Sequence, residues 1–160
     1  MLSIYASKVE VLKSKQAQKY GIDNEPTYTH LENLKLTCSV FDIIRTHFGV
    51  PIFISSGYRS SEVNEKVGGS TTSQHSLGQA LDIDADMYGK VTNKQLFDFI
   101  RTSLNFDQLI YEHGNDNDPA WVHFSYKRSG NRKQILRAYY DKTKGKTVYI
   151  NWTPQLKLDK

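Results

Sequence analysis

A chain of 160 residues, 38% apolar and 24% charged, can build one domain with a hydrophobic core but not two comfortable ones. Its ten Tyr, seven Phe and two Trp exclude a disordered or low-complexity chain, and its single cysteine, Cys38, excludes an intramolecular disulfide. The net charge of +4 is uneven: Lys127 to Lys146 carries eight Lys or Arg against one acid, so the remainder is acidic. That run suits either a polyanion or, as charge runs commonly do, a solvated face.

The opening MLSIYASKVEVLKSKQ interrupts every apolar run with a charge, so no signal-peptide core and no membrane span is expected, and the product is expected to be made in the cytosol. TYTHLENLKLTCSVFDIIRTHFG predicts the main helix. Thr29 and Glu32 have capping-box spacing there, and Leu31, Leu34, Cys38, Phe41, Ile44 and Phe48 form a core stripe that Gly49 and Pro51 end. The Cys38 thiol on that stripe is expected to be buried rather than nucleophilic. PIFIS predicts a short strand, SSEVNEKV a short helix closed by Gly68 and Gly69, and QALDIDA a strand. TNKQLFDFIRTSL predicts a helix capped by Thr92 and Gln95. DQLIYEH and WVHFSY read as a hairpin with the long tip GNDNDPA, and QILRAYY and TVYINW as two further strands. Helices first and hairpins after predict an α+β fold: a central antiparallel sheet with helices on one face.

Strand alternation gives the stretch SQHSLGQALDID its chemical interest. Asp82 and Asp84 share one face of QALDIDA, opposite Leu81 and Ile83, and Gly78 frees His75 to fold back toward Asp82. In WVHFSY, Trp121, His123 and Ser125 share a face, as do Gln108, Ile110 and Glu112 in the partner strand. Two imidazoles and carboxylates on one sheet face suit zinc, with three protein ligands and an open fourth position. The same residues also suit a satisfied core or a surface, and spacing alone leaves both readings open.

SSGYRSSEVNEKVGGSTTSQHSLGQALDID followed by WVHFSY resembles the M15 zinc peptidases, the D-alanyl-D-alanine carboxypeptidase and phage endolysin group related to lysostaphin-type peptidases and hedgehog amino-terminal domains. The family pattern is filled by Ser73, His75, Gly78, Ala80, Asp82, Trp121 and His123. The similarity runs from about Gln16 to Tyr126 within a single domain of residues 1–160, and 141–160 is an unmatched extension. The resemblance implies Zn2+ held by His75, Asp82 and His123, and hydrolysis of a peptide bond in bacterial peptidoglycan by a phage or prophage product. Such a protein is made in the cytoplasm, acts on the cell wall or periplasm after release, and is expected to be a monomer with a peptidoglycan peptide as partner, neither membrane nor nucleic acid.

Arg59 matches an arginine that the family places beside substrate, and Ser73 either caps the turn before His75 or touches substrate. Asp84 reads as a supporting or surface acid, and His30, His47 and His113 have no motif position. Several relatives carry the catalytic acid three residues before the last histidine, but Ala120 stands there. Glu112 and Asp118 remain, and alternation favours Glu112 as the base, with Asp118 starting a turn before Pro119. A non-catalytic zinc-containing module of the same fold that binds wall peptide or protein is the alternative, and a usable carboxylate at Glu112 argues against it.

Overall fold

In the computed structural model, which describes residues 1–158, the opening segment forms two short helices, α1 (Lys8–Leu12) and α2 (Lys15–Tyr20). Ser7 and Ser14 accept hydrogen bonds from the first-turn amides of Glu10 and Ala17, which starts each of these short helices. The long helix α3 (Tyr28–Phe48) follows, with Leu34, Cys38, Phe41 and Ile44 buried and Leu31 and Phe48 half-buried at the ends of the stripe. Its cap is Thr27, not Thr29: Thr27 is in the extended conformation and accepts from the His30 amide, which leaves Thr29 inside the first turn. Burial pushes the Cys38 thiol up to about 12, so it stays protonated and inert.

The remaining elements are β1 (Phe53–Ser56), α4 (Ser61–Lys66), β2 (Ala80–Asp84), α5 (Asn93–Ser103), β3 (Gln108–Glu112), β4 (Trp121–Ser125), β5 (Gln134–Asp141) and β6 (Lys146–Asn151). Thr92 and Gln95 form the expected capping box on α5. The fold is α+β, and its six strands form one sheet in the order β1-β2-β4-β3-β5-β6. All neighbours are antiparallel except β3 and β5, which run parallel, so the sheet is mixed rather than wholly antiparallel. The cause is positional. With β2 and β3 flanking β4, the chain leaving Ser125 passes the start of β3 and enters β5 with Gln134 opposite Gln108, in the direction of β3.

Strand alternation divides the sheet chemically. Leu81, Ile83, Leu109, Tyr111, Val122 and Phe124 face α3 and α5, where they pack with Phe41, Ile44, Leu96, Phe97 and Ile100 in one core. Each fully buried large apolar side chain contributes about 1.5–3 kcal/mol, so this face holds the sheet in place. The opposite face carries Asp82, Ile110, Glu112 and His123 and borders a cleft of about 830 Å³. Among the described residues no helix is long and apolar enough to cross a membrane.

Candidate active site

Antiparallel register sets Asp82 directly opposite His123, so their side chains share a face and meet, with His123 Nδ1 2.9 Å from Asp82 Oδ1. His75 reaches the same point from a 3₁₀ turn, Gln74–Leu77, that ends at Gly78. Gly78 has φ 69°, and a Cβ there would lie 2.2 Å from the His30 carbonyl oxygen, so only glycine lets the turn press against α3. The turn delivers His75 Nε2 to 3.2 Å from His123 Nδ1 and 3.3 Å from Asp82 Oδ1. These three donor atoms lie within 4.8 Å of one another.

The hydrogen bonds test whether a metal fits. His75 Nδ1 lies 2.7 Å from the Gly57 carbonyl oxygen, which can only accept, so Nδ1 carries the proton and Nε2 presents a lone pair in the neutral ring. Burial lowers the His75 pKa against the pull of Asp82, which favours that neutral form. Burial also opposes ionisation of Asp82, yet His75 whenever its ring is protonated, and His123 through its ring hydrogen bond, outweigh it and hold the carboxyl well below the usual range. A bare imidazole nitrogen therefore faces a carboxylate oxygen, and a cation between them resolves the repulsion. His123 Nε2 is buried without a hydrogen-bond partner, so the protein alone does not satisfy that ring. Two imidazole nitrogens, one carboxylate and a carbonyl fixing a ligand's tautomer make a donor set that fits a divalent metal.

The cleft beside this cluster holds most of the residues singled out from sequence. Glu112, 6% exposed, has its carboxyl pushed up to about 7 by burial and by Asp82, with His123 and Arg59 opposing. Arg59 lines the same cleft and has no ion-pair partner among the described residues, and its Nε is buried and unpaired. Burial lowers its pKa, while Asp82, Tyr149 and Glu112 favour the charge. Ser73 lines the cleft too, but its side chain makes no capping bond to the turn.

Asp118 lies elsewhere. It accepts from the Lys94 amide at 2.5 Å and so fastens the start of α5. Asp84 is also structural, accepting from Asn93 Nδ2 at 3.0 Å. His30 contacts the Tyr58 hydroxyl and His47 stacks on Phe99, both away from the cleft.

Two cleft residues escaped the sequence reading. His113 would face away from Glu112 in a regular strand, but β3 ends at Glu112, and a φ of 51° swings the ring against Trp121 and brings Nε2 to 3.9 Å from Glu112 Oε2. The turn residue Gly114 directly after it was the available signal. Tyr149, on β6, lines the cleft from within the extension that carried no motif. Burial, then Glu112 and Asp82, raise its phenol pKa, so the hydroxyl keeps its proton.

The sequence profile of one family, Peptidase M15, matches residues 5–125. The chain belongs to that family. No curated protein matches it. The M15 match spans every element that builds the three-residue cluster, from α1 behind Gly57 to the end of β4, and membership makes the chain a peptidase of a typically metal-dependent kind. It stops short of β5 and β6, the strands that complete the far wall of the cleft.

Proposed function

We propose that this M15 peptidase is a zinc enzyme that hydrolyses a peptide bond in the stem peptides of bacterial peptidoglycan, degrading cell wall as a phage or prophage product. The observation that carries the reading is the pairing of a three-donor cluster with a buried, cleft-lining carboxylate, Glu112, whose pKa burial and Asp82 raise to about 7 against the pull of His123 and Arg59. Zinc held by His75, Asp82 and His123 would supply the Lewis acid that polarises the scissile carbonyl and acidifies water.

The chain's own residues do the rest. Glu112 takes the proton from the attacking water and returns it to the departing amine, a transfer suited to a carboxyl group poised near neutrality. Gly57 holds the His75 ring in one tautomer, and the β2–β4 register keeps Asp82 beside His123. Arg59, charged and without an ion-pair partner among the described residues, grips a carboxylate or carbonyl of the peptide through its planar fork. Stem peptides offer free carboxylates, which suits that guanidinium and Lys146 at the cleft edge. Ser73 stands on the same wall with its hydroxyl free of any capping role and touches the bound peptide. The partner is thus the wall peptide, met by a monomer in the cell wall or periplasm after release.

Mass spectrometry of defined muropeptides incubated with the zinc-loaded protein tests the reading. Loss of a terminal D-alanine would identify a carboxypeptidase, and splitting of the stem an endopeptidase. Zinc-dependent binding without any cleavage would make the protein a wall-peptide module instead.

A further inference from the structure

Strand β6 lies outside the family match, yet it supplies one wall of the cleft. The sheet register carries a single row of residues across four strands: Trp121 opposite Glu112, Glu112 opposite Ala138, and Ala138 opposite Tyr149. At a strand spacing of about 4.8 Å, the Tyr149 backbone lies about 10 Å from that of Glu112. Between them in that row stands Ala138, whose side chain is a methyl, so no bulky residue of the row itself separates the phenol from Glu112. Tyr149 lines the cleft, and the charges of Glu112, Asp82 and Arg59 all bear on its ring. Its hydroxyl nonetheless donates to no described residue, and the side chain is half exposed. An inert wall would be served by phenylalanine. A phenol adds one directed donor on the side of the cleft facing Glu112.

We propose that Tyr149 is a catalytic residue whose hydroxyl donates a hydrogen bond to the carbonyl oxygen of the scissile peptide bond and steadies the negative charge that grows there as water adds. The inference rests on the peptidase reading above. The phenol keeps its own proton throughout, so the proton exchanged between water and leaving amine still travels through Glu112. A donor aimed at developing charge acts mainly on the rate rather than on ground-state binding.

The test compares the zinc-loaded parent with Tyr149→Phe on a muropeptide that the parent cleaves. The variant is expected to lose roughly 10²-fold in kcat with KM, zinc content and melting temperature unchanged, since one such donor is worth about that factor. Affinity for a phosphinic analogue of the same peptide, which mimics the tetrahedral oxygen, should fall in parallel, whereas affinity of the uncut peptide for Glu112→Gln should not change when Tyr149→Phe is added. Parental kcat and equal analogue affinity in Tyr149→Phe would overturn the role of Tyr149 while leaving the peptidase reading standing. A parent that binds the analogue but cuts nothing would overturn the peptidase reading, and analogue affinity would still decide for or against Tyr149. A parent that neither cuts nor binds overturns both.

Discussion

Asp82 and Asp107 are two inward-facing aspartates whose carboxyls are both held well below the usual range, in surroundings of opposite kind. At Asp107, burial opposes ionisation, but the Arg132 and Lys127 side chains and the Arg132 amide overcome it, with Gln74 Nε2 adding a fourth donor at 2.6 Å. Every neighbour there brings a proton, so the carboxylate is saturated and the cluster is complete as protein. At Asp82 the neighbours are imidazole nitrogens, and one of them, His75 Nε2, offers a lone pair instead. One carboxylate ties loops together. The other is one corner of a donor set that fits a cation.

The sharpest break in that comparison comes from removing a donor at each place. His75→Ala, Asp82→Ala or His123→Ala should reduce bound zinc from about one per chain to little or none and abolish hydrolysis, because two remaining donors cannot hold the ion well. Elemental analysis of the purified variants decides, and undiminished zinc in His75→Ala or His123→Ala would discard the ligand assignment.

The next effect concerns the acid beside the cluster. Glu112→Gln should keep fold and zinc yet lose about two to four orders of magnitude in rate. Asp118→Asn should stay near parental activity, because Asn retains the oxygen that accepts from the Lys94 amide. Single-turnover measurements on both variants would reveal the reverse pattern if Asp118 were the base.

What the sequence made legible follows from the range of the interactions involved. Period-two alternation placed Asp82 and His123 on one face, and the glycine at 78 explained how His75 turns back, since both signals are local. Glu112 was legible because alternation holds to the end of β3, and His113 was not, because the strand stops there and a single positive φ reverses the face. The Asp107 cluster was missed altogether: its partners Gln74 and Arg132 stand 33 and 25 residues away, one in a 3₁₀ turn and one in a loop, where no periodicity reports contact. The chemistry of Tyr149 was hidden for a related reason. Its place in a strand could be read, but its row was fixed by the parallel pairing of β3 with β5, which a pattern of successive hairpins does not anticipate.

Removing the saturated carboxylate should damage stability rather than chemistry. Asp107→Asn leaves Lys127 and the half-exposed Arg132 without a counter-charge, but both can turn to solvent, so the loss falls below that of a fully buried pair, about 1–2 kcal/mol, or roughly 5 °C in Tm for a chain of this size. Zinc stoichiometry should be retained. The sign with pH is fixed by linkage: the folded pKa is depressed, so the unfolded chain binds more protons, and the stabilisation present at neutral pH is lost as pH falls below about 4. Thermal melts of parent and variant should therefore converge toward acid. A constant gap between them would assign the effect to packing.

The smallest expected effect tests whether the basic run that contains half of this saturated cluster has charge to spare. Lys127 and Arg132 are engaged by Asp107, Arg137 is buried over the Tyr111 ring and paired with Asp116, and Lys144 pairs with Asp141. Arg128, Lys133, Lys142 and Lys146 remain exposed without an ion pair among the described residues. Four scattered cations make a weak polyanion surface, screened beyond about 8 Å at physiological salt. Adhesion to anionic wall should therefore be modest, fall as salt rises, and contribute nothing to bond cleavage. Lys133→Glu combined with Lys142→Glu should lower sedimentation with purified cell walls a few-fold at low salt, while cleavage of a soluble muropeptide stays at the parental rate, since neither residue borders the cleft. Equal sedimentation of the two proteins would reduce the run to what half of it already is, the structural counter-charge to Asp107, Asp116 and Asp141.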